Sequence, residues 1–301
     1  MAIAPMIFDR NVLRLRRARH ARTATAHDFL LHRVADDFAD RLSVVRRTFA
    51  QGASVGSYHG IISRRLRGLE NVGSLVDVES TETLLAMSDG QRLAAEDDAL
   101  PFAADALDLI VSGLSLHLIN DVPGALVQMR RALKPDGLLL AALLGGETLK
   151  ELREAWVVAE DEVMGGASPR VAPFADLRDL GGLLQRAGFA LPVADSDVLV
   201  VRYASALALM QDLRLMGASN MLIERRRVPV SRRLLMRAAE IYTERFADTD
   251  GRIPATFEIM TLTAWVPHES QQKPLAPGSA TMRLADALGV PEQPAGEKPG
   301  P

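Results

Sequence analysis

The chain has 301 residues, which is enough for one large domain or two small ones. Its formal net charge of −3 argues against general nucleic-acid binding, which usually requires a basic domain. The absence of cysteine excludes disulfides, cysteine nucleophiles and thiolate metal sites. The longest strongly apolar run, 138–144, is far shorter than the roughly 20 residues that span a bilayer, and no apolar signal segment is evident. We therefore expect a cytoplasmic protein without a transmembrane segment, and its many alanines and arginines suggest a bacterium with a GC-rich genome.

Sequence patterning divides the chain into three regions. Residues 1–50 are arginine-rich and carry apolar residues at helical spacing, which predicts an N-terminal helical cap. Residues 51–266 alternate strand-like and helix-like segments, with a mainly helical insertion around 203–250. Residues 267–301 form a tail rich in proline and glycine, and we expect roughly the last ten residues to be disordered.

The middle of the chain predicts a parallel sheet. Continuous apolar runs are typical of strands that helices cover on both faces. A helix at 122–133, with Asp121 suited to its N-cap, and a turn at 134–137 connect two of these runs in a βαβ unit. The pattern therefore predicts a Rossmann-like α/β fold, in which ligands bind at the carboxyl ends of the strands. The runs are 74–78, 107–112 and 138–144, and further strand-like segments are 92–95, 197–202 and 258–266.

A glycine-containing segment, 54–60, precedes a helical run at 61–66. Glycines at a turn from strand to helix let the backbone approach a ligand closely and present helix N-terminal amides to it. Gly56, Ser57 and Gly60 are therefore candidate ligand-binding residues, although a plain structural turn would have the same pattern.

Acidic residues follow two of the predicted strands. Asp77 lies about 20 residues after Gly56, the spacing at which a strand-end acid accepts hydrogen bonds from a ribose diol, and Val78 lies beside it. Glu79 follows, so either acid could face the ligand, and a helix cap is the alternative role of Asp77. Glu96 and Asp97 precede an apolar segment and are candidates for contact with an adenine; the alternative is a solvent-exposed acidic loop.

Two sets of short motifs occur in order along the chain. The first set comprises Leu100-Pro-Phe, Leu107-Asp-Leu-Ile-Val-Ser, Leu114-Ser-Leu-His, Asn120-Asp and Leu133-Lys-Pro-Asp-Gly. It resembles the methyltransferase type 11 group, which includes the malonyl-carrier-protein methyltransferases. The second set comprises Ile7-Phe-Asp-Arg, Gly145-Gly-Glu-Thr-Leu, Leu180-Gly-Gly-Leu-Leu, Ser219-Asn and His268-Glu-Ser-Gln. It is similar to the mitochondrial complex I assembly factor 5 family and its alphaproteobacterial relatives.

This narrower resemblance implies a class I S-adenosylmethionine-dependent methyltransferase fold. The family's sheet has seven strands, mostly parallel with an antiparallel last strand, and its pocket is one for S-adenosylmethionine. Its mitochondrial members are regarded as arginine hydroxylases that act on a complex I subunit. By position, Gly56 and Gly60 match the family's glycine loop, Asp77 matches its ribose-binding acid, and Glu96 lies where the family has an aspartate near the adenine.

Two loop residues depart from the family pattern, which reads acid-x-Gly-x-Gly-x-Gly. Ser54 replaces the acid that pairs with the cofactor's amino group, and loss of one such contact costs on the order of 1.5–3 kcal/mol. Tyr58 replaces the middle glycine, although a tyrosine adopts positive φ only at a cost and its ring would occupy space that the cofactor needs. The departures predict weakened S-adenosylmethionine binding, or a shifted loop in which the ring stacks on the ligand.

His117 follows the strand at 107–112 and is the candidate general base at the rim of the expected pocket. Its alternative role is packing among the neighbouring leucines. Hydroxylation commonly uses iron held by two histidines and a carboxylate. No His-x-Asp or His-x-Glu pair occurs, so we predict no metal site, and hydroxylation enters only through the resemblance.

The sequence supports three functions. The first is a modifying enzyme or assembly factor for a respiratory complex I subunit, as the narrower resemblance implies. The second is a methyltransferase that acts on a small molecule or a carrier-bound acyl group. The third is a non-catalytic scaffold with a degraded cofactor loop. The arginines at 10–22, and those at 225–227 and 232–233, either dock a protein partner or form solvated faces.

Overall fold

Seven strands form one sheet in the computed structural model, which describes residues 6–272, 279 and 282–291. Their spatial order is β3-β2-β1-β4-β5-β7-β6, where the strands are β1 (Phe49–Val55), β2 (Val72–Val78), β3 (Gln91–Leu93), β4 (Leu107–Gly113), β5 (Leu133–Leu144), β6 (Ala190–Tyr203) and β7 (Ile253–Trp265). β1 to β5 pair in parallel, whereas β7 is antiparallel to both β5 and β6. The predicted seven-stranded, mostly parallel sheet with an antiparallel last strand is confirmed.

Helices cover both faces of this sheet, as the continuous apolar strands predicted. The helices of the same unit are α1 (Arg10–His20), α2 (Phe29–Ser43), α3 (Ile61–Leu66), α4 (Glu82–Leu85), α5 (Val122–Ala132), α6 (Lys150–Met164), α7 (Leu177–Arg186), α8 (Ala206–Leu215) and α9 (Arg232–Phe246). A further helix, α10 (Leu284–Leu288), belongs to the separate unit that begins at His268. One core layer joins the sheet to α2, α3, α6, α8 and α9, and the other joins it to α5 and α7. Two 3-10 segments, Ala21–Ala26 and Leu116–Leu118, complete the described helical structure.

The described residues up to Pro267 form one compact unit, and those from His268 onward form another. The predicted boundary after residue 50 falls inside β1, because Phe49 already pairs with Val72 of β2. The helical insertion consists of α8 and α9, which lie between β6 and β7. The predicted disorder at the end of the tail concerns residues 292–301, which lie outside the described residues. Within the described part of the chain, no helix combines the length and apolarity needed to cross a bilayer.

The segment 134–137 is part of β5 rather than a turn before it. Leu107 of β4 pairs with Leu133, and the next pair is Leu109 with Leu138, so the intervening residues of β5 bulge out of the ladder. Asp136 has a φ of 62°, a conformation that asparagine and aspartate tolerate better than most residues. The chain does turn locally at Asp136, as its sequence indicated. The pairing of Leu133 with Leu107 nevertheless makes the segment an irregularity within β5.

The last two strands are longer than the sequence predicted. The predicted segment 197–202 lies in β6, and 258–266 lies in β7 except for Val266, one residue past its end. The two strands pair from Ala190 with Trp265 to Tyr203 with Ile253. β6 is an edge strand with many exposed residues, so its ends carry no continuous apolar run. In contrast, the strand predicted at 92–95 is shorter and begins one residue earlier, at Gln91.

Candidate functional site

The chain reverses direction across the sheet between β1 and β4, and ligands of such sheets bind at this switch point. Gly56 follows β1 with a φ of 65°, and a Cβ atom there would overlap Ser115 Oγ. Gly60 precedes α3 with a φ of 78°, and a Cβ atom there would lie 2.9 Å from Ser88 Oγ. Both glycines are therefore required by contacts within the protein, as well as by the tight turn.

Tyr58 adopts the conformation that the sequence indicated to be costly. Its φ is 55°, a left-handed conformation that costs about 1–2 kcal/mol for a residue with a side chain. Its amide N–H donates to Glu79 Oε2 at 3.0 Å, and its hydroxyl donates to the carbonyl of Met216 at 3.0 Å. The ring is buried under the guanidinium of Arg17, 5.3 Å from the ring centroid, so tertiary contacts offset the strain.

Several buried hydroxyls near the strand ends lack a hydrogen-bond partner within the described residues. Ser54 and Ser112 are the penultimate residues of β1 and β4, and Ser57 lies in the glycine loop. Asp97 Oδ1 is a further buried oxygen without a hydrogen bond there. Because buried polar groups normally find partners, this edge of the sheet fits a polar ligand. Ser54 has no charge to offer an amino group, as the sequence indicated.

Asp77, the penultimate residue of β2, is held by two serines. Asp77 Oδ1 accepts from Ser63 Oγ of α3 at 2.6 Å, and Ser88 Oγ donates to its other oxygen. Burial raises the pKa of this carboxyl, and Val78 beside it is buried in the core. Asp77 and Val78, both predicted to bind a ligand, are therefore fully enclosed by protein groups.

Glu79 lies directly after β2 and faces the glycine loop. It accepts hydrogen bonds from the backbone N–H of Tyr58 and, at 2.9 Å, from that of Thr81. Arg17 of α1 lies 3.6 Å from its Oε2. The side chain is fully buried, and this burial raises its pKa. Of the two acids that the sequence left open, Glu79 is the one placed at the glycine loop.

The second pair of acids also meets arginines of α1. Arg10 lies 2.9 Å from Glu96 and 3.5 Å from Asp97, and Arg14 lies 3.0 Å from Glu96. Ser115 Oγ donates to the other oxygen of Asp97. Burial acts to lower the pKa of Arg10, but the charges of Asp97 and Glu96 outweigh it and the pKa is raised. We call these residues, Arg10, Arg14 and Arg17 with Glu79, Glu96 and Asp97, the acid–arginine cluster.

The acid–arginine cluster occupies the position at the strand ends where S-adenosylmethionine would bind. The unpartnered hydroxyls at the strand ends fit a polar ligand, but the carboxylates that would hold its ribose and adenine are already paired with arginines. S-adenosylmethionine itself is a cation, so Arg17 beside Glu79 opposes it electrostatically. The residues present therefore fit this cofactor only if α1 withdraws its arginines.

A cavity of about 370 Å³ lies beside the cluster, and we call it the central cavity. It begins at Gly56, Gly113 and Leu144, at the ends of three neighbouring strands. Most of its wall is apolar, and the charged exceptions include Asp28, Arg17 and Arg170. Its apolar and aromatic lining side chains include Leu114, Leu149, Leu152, Trp156, Phe174, Met210, Met216 and Phe257.

Two arginines stack on aromatic rings in the wall of the central cavity. Arg17 covers Tyr58, and Arg170 lies 4.9 Å from the ring centroid of Trp156. Arg170 Nε also donates to the fully buried Glu160 at 2.8 Å. The guanidinium groups of Arg17 and Arg170 thus already cover one face of each ring. Each of these arginines also lies beside a buried carboxylate, Glu79 or Glu160.

His117 lines the central cavity, but its environment does not favour a general base. Burial, together with the positive charge of Arg17, lowers its pKa to about 3, so the ring is neutral at pH 7. Its Nδ1 accepts the backbone N–H of Leu144 at 3.4 Å, which leaves the hydrogen of the neutral ring on Nε2. His117 can therefore donate a hydrogen bond, and its role as a base stays a prediction.

His27 was not singled out by the sequence, and it also lines the central cavity. Its Nδ1 lies 2.5 Å from Asp212 Oδ1, and the Tyr203 hydroxyl donates to Asp212 Oδ2 at 2.7 Å. A carboxylate on one ring nitrogen orients the other, which is how proton-accepting histidines are commonly held. Asp212 lies 185 positions away, so no local motif could have signalled the pair. Across the described residues, no three histidine or acidic side chains converge as a metal ion requires.

Comparison with known proteins agrees with this fold. Residues 53–141 match the family model described as a methyltransferase domain. A proposed methyltransferase of Bacillus halodurans superposes with a TM-score of 0.55 at 13% identity, over 77% of this chain and 98% of that one. The YcgJ protein of Bacillus subtilis gives a TM-score of 0.54 at 14% identity, over 79% and 99%. The predicted class I methyltransferase fold is thereby confirmed.

The sequence comparison is more specific. The human mitochondrial protein named arginine-hydroxylase NDUFAF5 is 38% identical over 287 residues, covering 93% of this chain and 83% of that protein. The zebrafish protein of the same name is also 38% identical, over 93% and 89%. This chain belongs to the NDUFAF5 family. A malonyl-[acyl-carrier protein] O-methyltransferase of Laribacter hongkongensis is 32% identical over 281 residues, covering 87% of this chain and 92% of that protein. Both resemblances read from the motifs are confirmed.

Proposed function

We propose that this protein is a maturation factor of respiratory complex I that acts on an arginine side chain of one of the subunits. The observation that carries the proposal is the 38% identity to proteins named arginine-hydroxylase NDUFAF5, because it extends over 93% of this chain and is not confined to the methyltransferase core. The matched region thus includes α8, which borders the central cavity and lies outside the methyltransferase core at 53–141.

The central cavity supports this proposal as the place where a side chain of the substrate enters. An arginine carries a long apolar stem and a planar cation that stacks well on aromatic rings. The cavity offers apolar walls for the stem, and its acidic group for the cation is the carboxylate of Asp28, whose Oδ2 lies 2.9 Å from His59 Nε2. His27, held by Asp212, is the group best placed to accept a proton there.

The test is the mass of complex I subunits from a strain that lacks this protein. We expect one subunit to change in mass at a single arginine, and the change to be reversed by the wild-type gene. Loss of one oxygen atom would indicate hydroxylation, for which molecular oxygen is the oxidant and a two-electron reductant must be supplied from outside this chain; loss of one methyl group would indicate methylation. Met210→Trp, which fills the central cavity, should fail to reverse the change. Leu207→Trp is the matched control, since it adds the same ring to the exposed side of the same helix. Unaltered subunits in a fully assembled complex would contradict the proposal.

We also propose a location and a cofactor. The composition favours the bacterial cytoplasm, where the protein would meet complex I through its partner subunit, and nothing in the charge of the chain favours nucleic acid.

S-adenosylmethionine is the ligand that the fold favours, and when bound it would supply a methyl group at the ends of β1 and β4. Glu79, Asp97 and Ser57 would hold it once the arginines of α1 withdraw. Calorimetry with the purified chain tests this binding directly.

Methyl transfer to a carrier-bound acyl group is the second candidate function. Its specific support is the 32% identity to the Laribacter malonyl-[acyl-carrier protein] O-methyltransferase over 87% of this chain. Incubation with S-adenosylmethionine and malonyl carrier protein would give the methyl ester if this function is correct. Failure to form the ester, together with an altered complex I subunit in the deletion strain, would favour the first proposal.

A non-catalytic scaffold is the third candidate, and the acid–arginine cluster supports it. A cofactor site whose acids are paired with the chain's own arginines can be retained for its shape alone. In this case the deletion strain would lose assembled complex I, while the residual subunits would have the same mass as in the wild type.

A further inference from the structure

Helix α6 carries an aromatic ring and a carboxylate that together hold a guanidinium group of the chain itself. Trp156 and Glu160 are four positions apart in α6, so their side chains lie on the same face of the helix. The guanidinium of Arg170 lies 4.9 Å from the ring centroid of Trp156, and its Nε donates to Glu160 Oε1 at 2.8 Å. Its Nη2 donates to the same oxygen. Trp156 and Glu160 therefore form a complete binding pair for one guanidinium.

Glu160 requires a cation beside it. Its side chain is fully buried, and Ser168 donates to it through both the backbone N–H and the hydroxyl. Burial acts to raise the pKa of this carboxyl, but the hydrogen bonds from Ser168 and the charge of Arg170 outweigh it, and the pKa is lowered. A buried carboxylate that stays ionised is strongly destabilising without a positive partner. Any group that replaces Arg170 must therefore also be positively charged.

Arg170 belongs to the loop 165–176, which contains no helix or strand and no fully buried residue. This loop is anchored without the side chain of Arg170, because Ser168 binds Glu160 and the carbonyl of Pro169 accepts from Asn220 Nδ2 at 2.7 Å. Within the described part of the chain, Arg170 forms no ion pair other than the one with Glu160. Its side chain can therefore leave Trp156 while the backbone of the loop stays in place.

Trp156 and Arg170 both line the central cavity, where the arginine of a complex I subunit would enter. We propose that Trp156 and Glu160 form the subsite for the guanidinium of that substrate arginine, and that Arg170 occupies the subsite until the substrate displaces it. This inference rests on the proposed function. Exchange of one guanidinium for another keeps the buried carboxylate paired and the ring covered. Asp28 is the carboxylate that the cavity presents before this exchange.

An internal competitor weakens the binding of an external ligand, because only the molecules in which Arg170 is displaced can bind it. The test uses the full-length chain with N-acetyl-L-arginine amide as the probe and N-acetyl-L-citrulline amide as its neutral counterpart. The chain has two tryptophans, so Trp265→Phe leaves Trp156 as the fluorescent reporter of the subsite. In this parent protein, Arg170→Gln should bind the arginine probe about tenfold more tightly, and the citrulline probe should bind at least about tenfold more weakly than the arginine probe.

Further variants identify the contacts that hold the probe. Arg170→Lys keeps a charge beside Glu160, and thereby the anchored loop, but lacks the planar group that covers the ring. Its affinity for the arginine probe should lie between those of the parent and Arg170→Gln. Glu160→Gln, added to Arg170→Gln, should lose about tenfold in affinity. The matched control is Arg245→Gln, which removes the exposed partner of Glu154 on the same helix and should bind like the parent.

Three results would overturn the subsite. Arg170→Gln and Arg170→Lys could both bind the arginine probe no more tightly than the parent, the citrulline probe could bind as well as the arginine probe, or Glu160→Gln could leave the affinity unchanged. If Asp28→Asn then abolished binding, the guanidinium would lie at Asp28 alone. The subunit masses separate this proposal from the proposed function. An altered subunit together with any of these results would overturn the subsite alone, whereas unaltered subunits in an assembled complex, together with arginine-specific binding by Arg170→Gln, would contradict the proposed function alone.

Discussion

The acid–arginine cluster and the central cavity both lie at the carboxyl ends of the strands, yet they are built in opposite ways. In the cluster, three carboxylates are buried or half-buried and each already has an arginine of α1 as its partner. The central cavity is mostly apolar and has about 370 Å³ of space. An apolar group can therefore enter the free space of the cavity without replacing an arginine, whereas a ligand that binds at the strand ends must replace Arg10 and Arg17. The arginines of α1 thus close the strand-end position at which ligands of such sheets bind.

The largest expected effect follows from breaking the buried pair of Glu79 and Arg17. Glu79→Ala leaves the guanidinium of Arg17 unpaired, with its side chain only 8% exposed, and removes the acceptor of two backbone N–H groups. Loss of one partner of a buried pair costs about 3–5 kcal/mol in the free energy of unfolding, measured by urea denaturation at pH 7. The double variant Glu79→Ala/Arg17→Met should lose less than the sum of the two single losses. Strict additivity would show that the two side chains do not interact.

A pH dependence of stability should come from the central cavity. Because the folded pKa of His117 is about 3 against an ordinary 6.5, the unfolded chain takes up a proton between these values and the folded chain does not. The contribution of His117 is therefore complete above pH 6.5 and is lost as the pH falls, by up to about 1.4 kcal/mol per pH unit. The difference in unfolding free energy between the wild type and His117→Gln, measured from pH 7 to pH 4, should show this slope.

Cofactor affinity should respond to the same helix that closes the cluster. Arg17→Gln removes a cation that opposes S-adenosylmethionine and frees Glu79 for hydroxyl donors, so we expect calorimetry to show binding about tenfold tighter than in the wild type, or ~1.4 kcal/mol. Arg19→Gln is the control, because it removes the same charge from the exposed face of α1. Equal affinity for the two variants, or no binding by Arg17→Gln, would show that α1 does not limit access to the site.

Most of the fold could be predicted from the sequence, because it depends on local patterns. The continuous apolar runs of β2, β4 and β5, and the cap of α5 at Asp121, are decided by residues close in sequence. The bulge after Leu133 was read as a turn, since its proline and glycine have the same local chemistry in both settings. Local sequence patterns therefore predict which helices and strands form more accurately than they predict where each one ends.

The candidate site was less predictable, because its contacts join distant residues. Arg10 and Glu96 are 86 positions apart, and no periodicity in α1 shows which arginines turn inward. The spacing from Gly56 favoured Asp77 over Glu79. In the structure, Asp77 is held by Ser63, whereas Glu79, two residues later, accepts a hydrogen bond from the glycine loop. One local feature could have pointed to Glu79. It lies two residues before Thr81, the residue that precedes α4, and its carboxylate accepts the backbone N–H of Thr81.

The smallest expected effect lies at the edge of the acid–arginine cluster. Arg14 and Arg10 share the acceptor Glu96, but the side chain of Arg14 is 43% exposed and that of Arg10 is 12% exposed. Because water screens exposed pairs, Arg14→Gln should cost only ~0.2–1 kcal/mol in unfolding free energy, and raising the salt to about 0.5 M should remove most of this cost. Arg10→Gln should cost more, and salt should change its cost little, since Asp97 beside it is buried. If the two costs were equal and equally sensitive to salt, the cluster would be an ordinary surface network, and its arginines would present no barrier to a ligand at the strand ends.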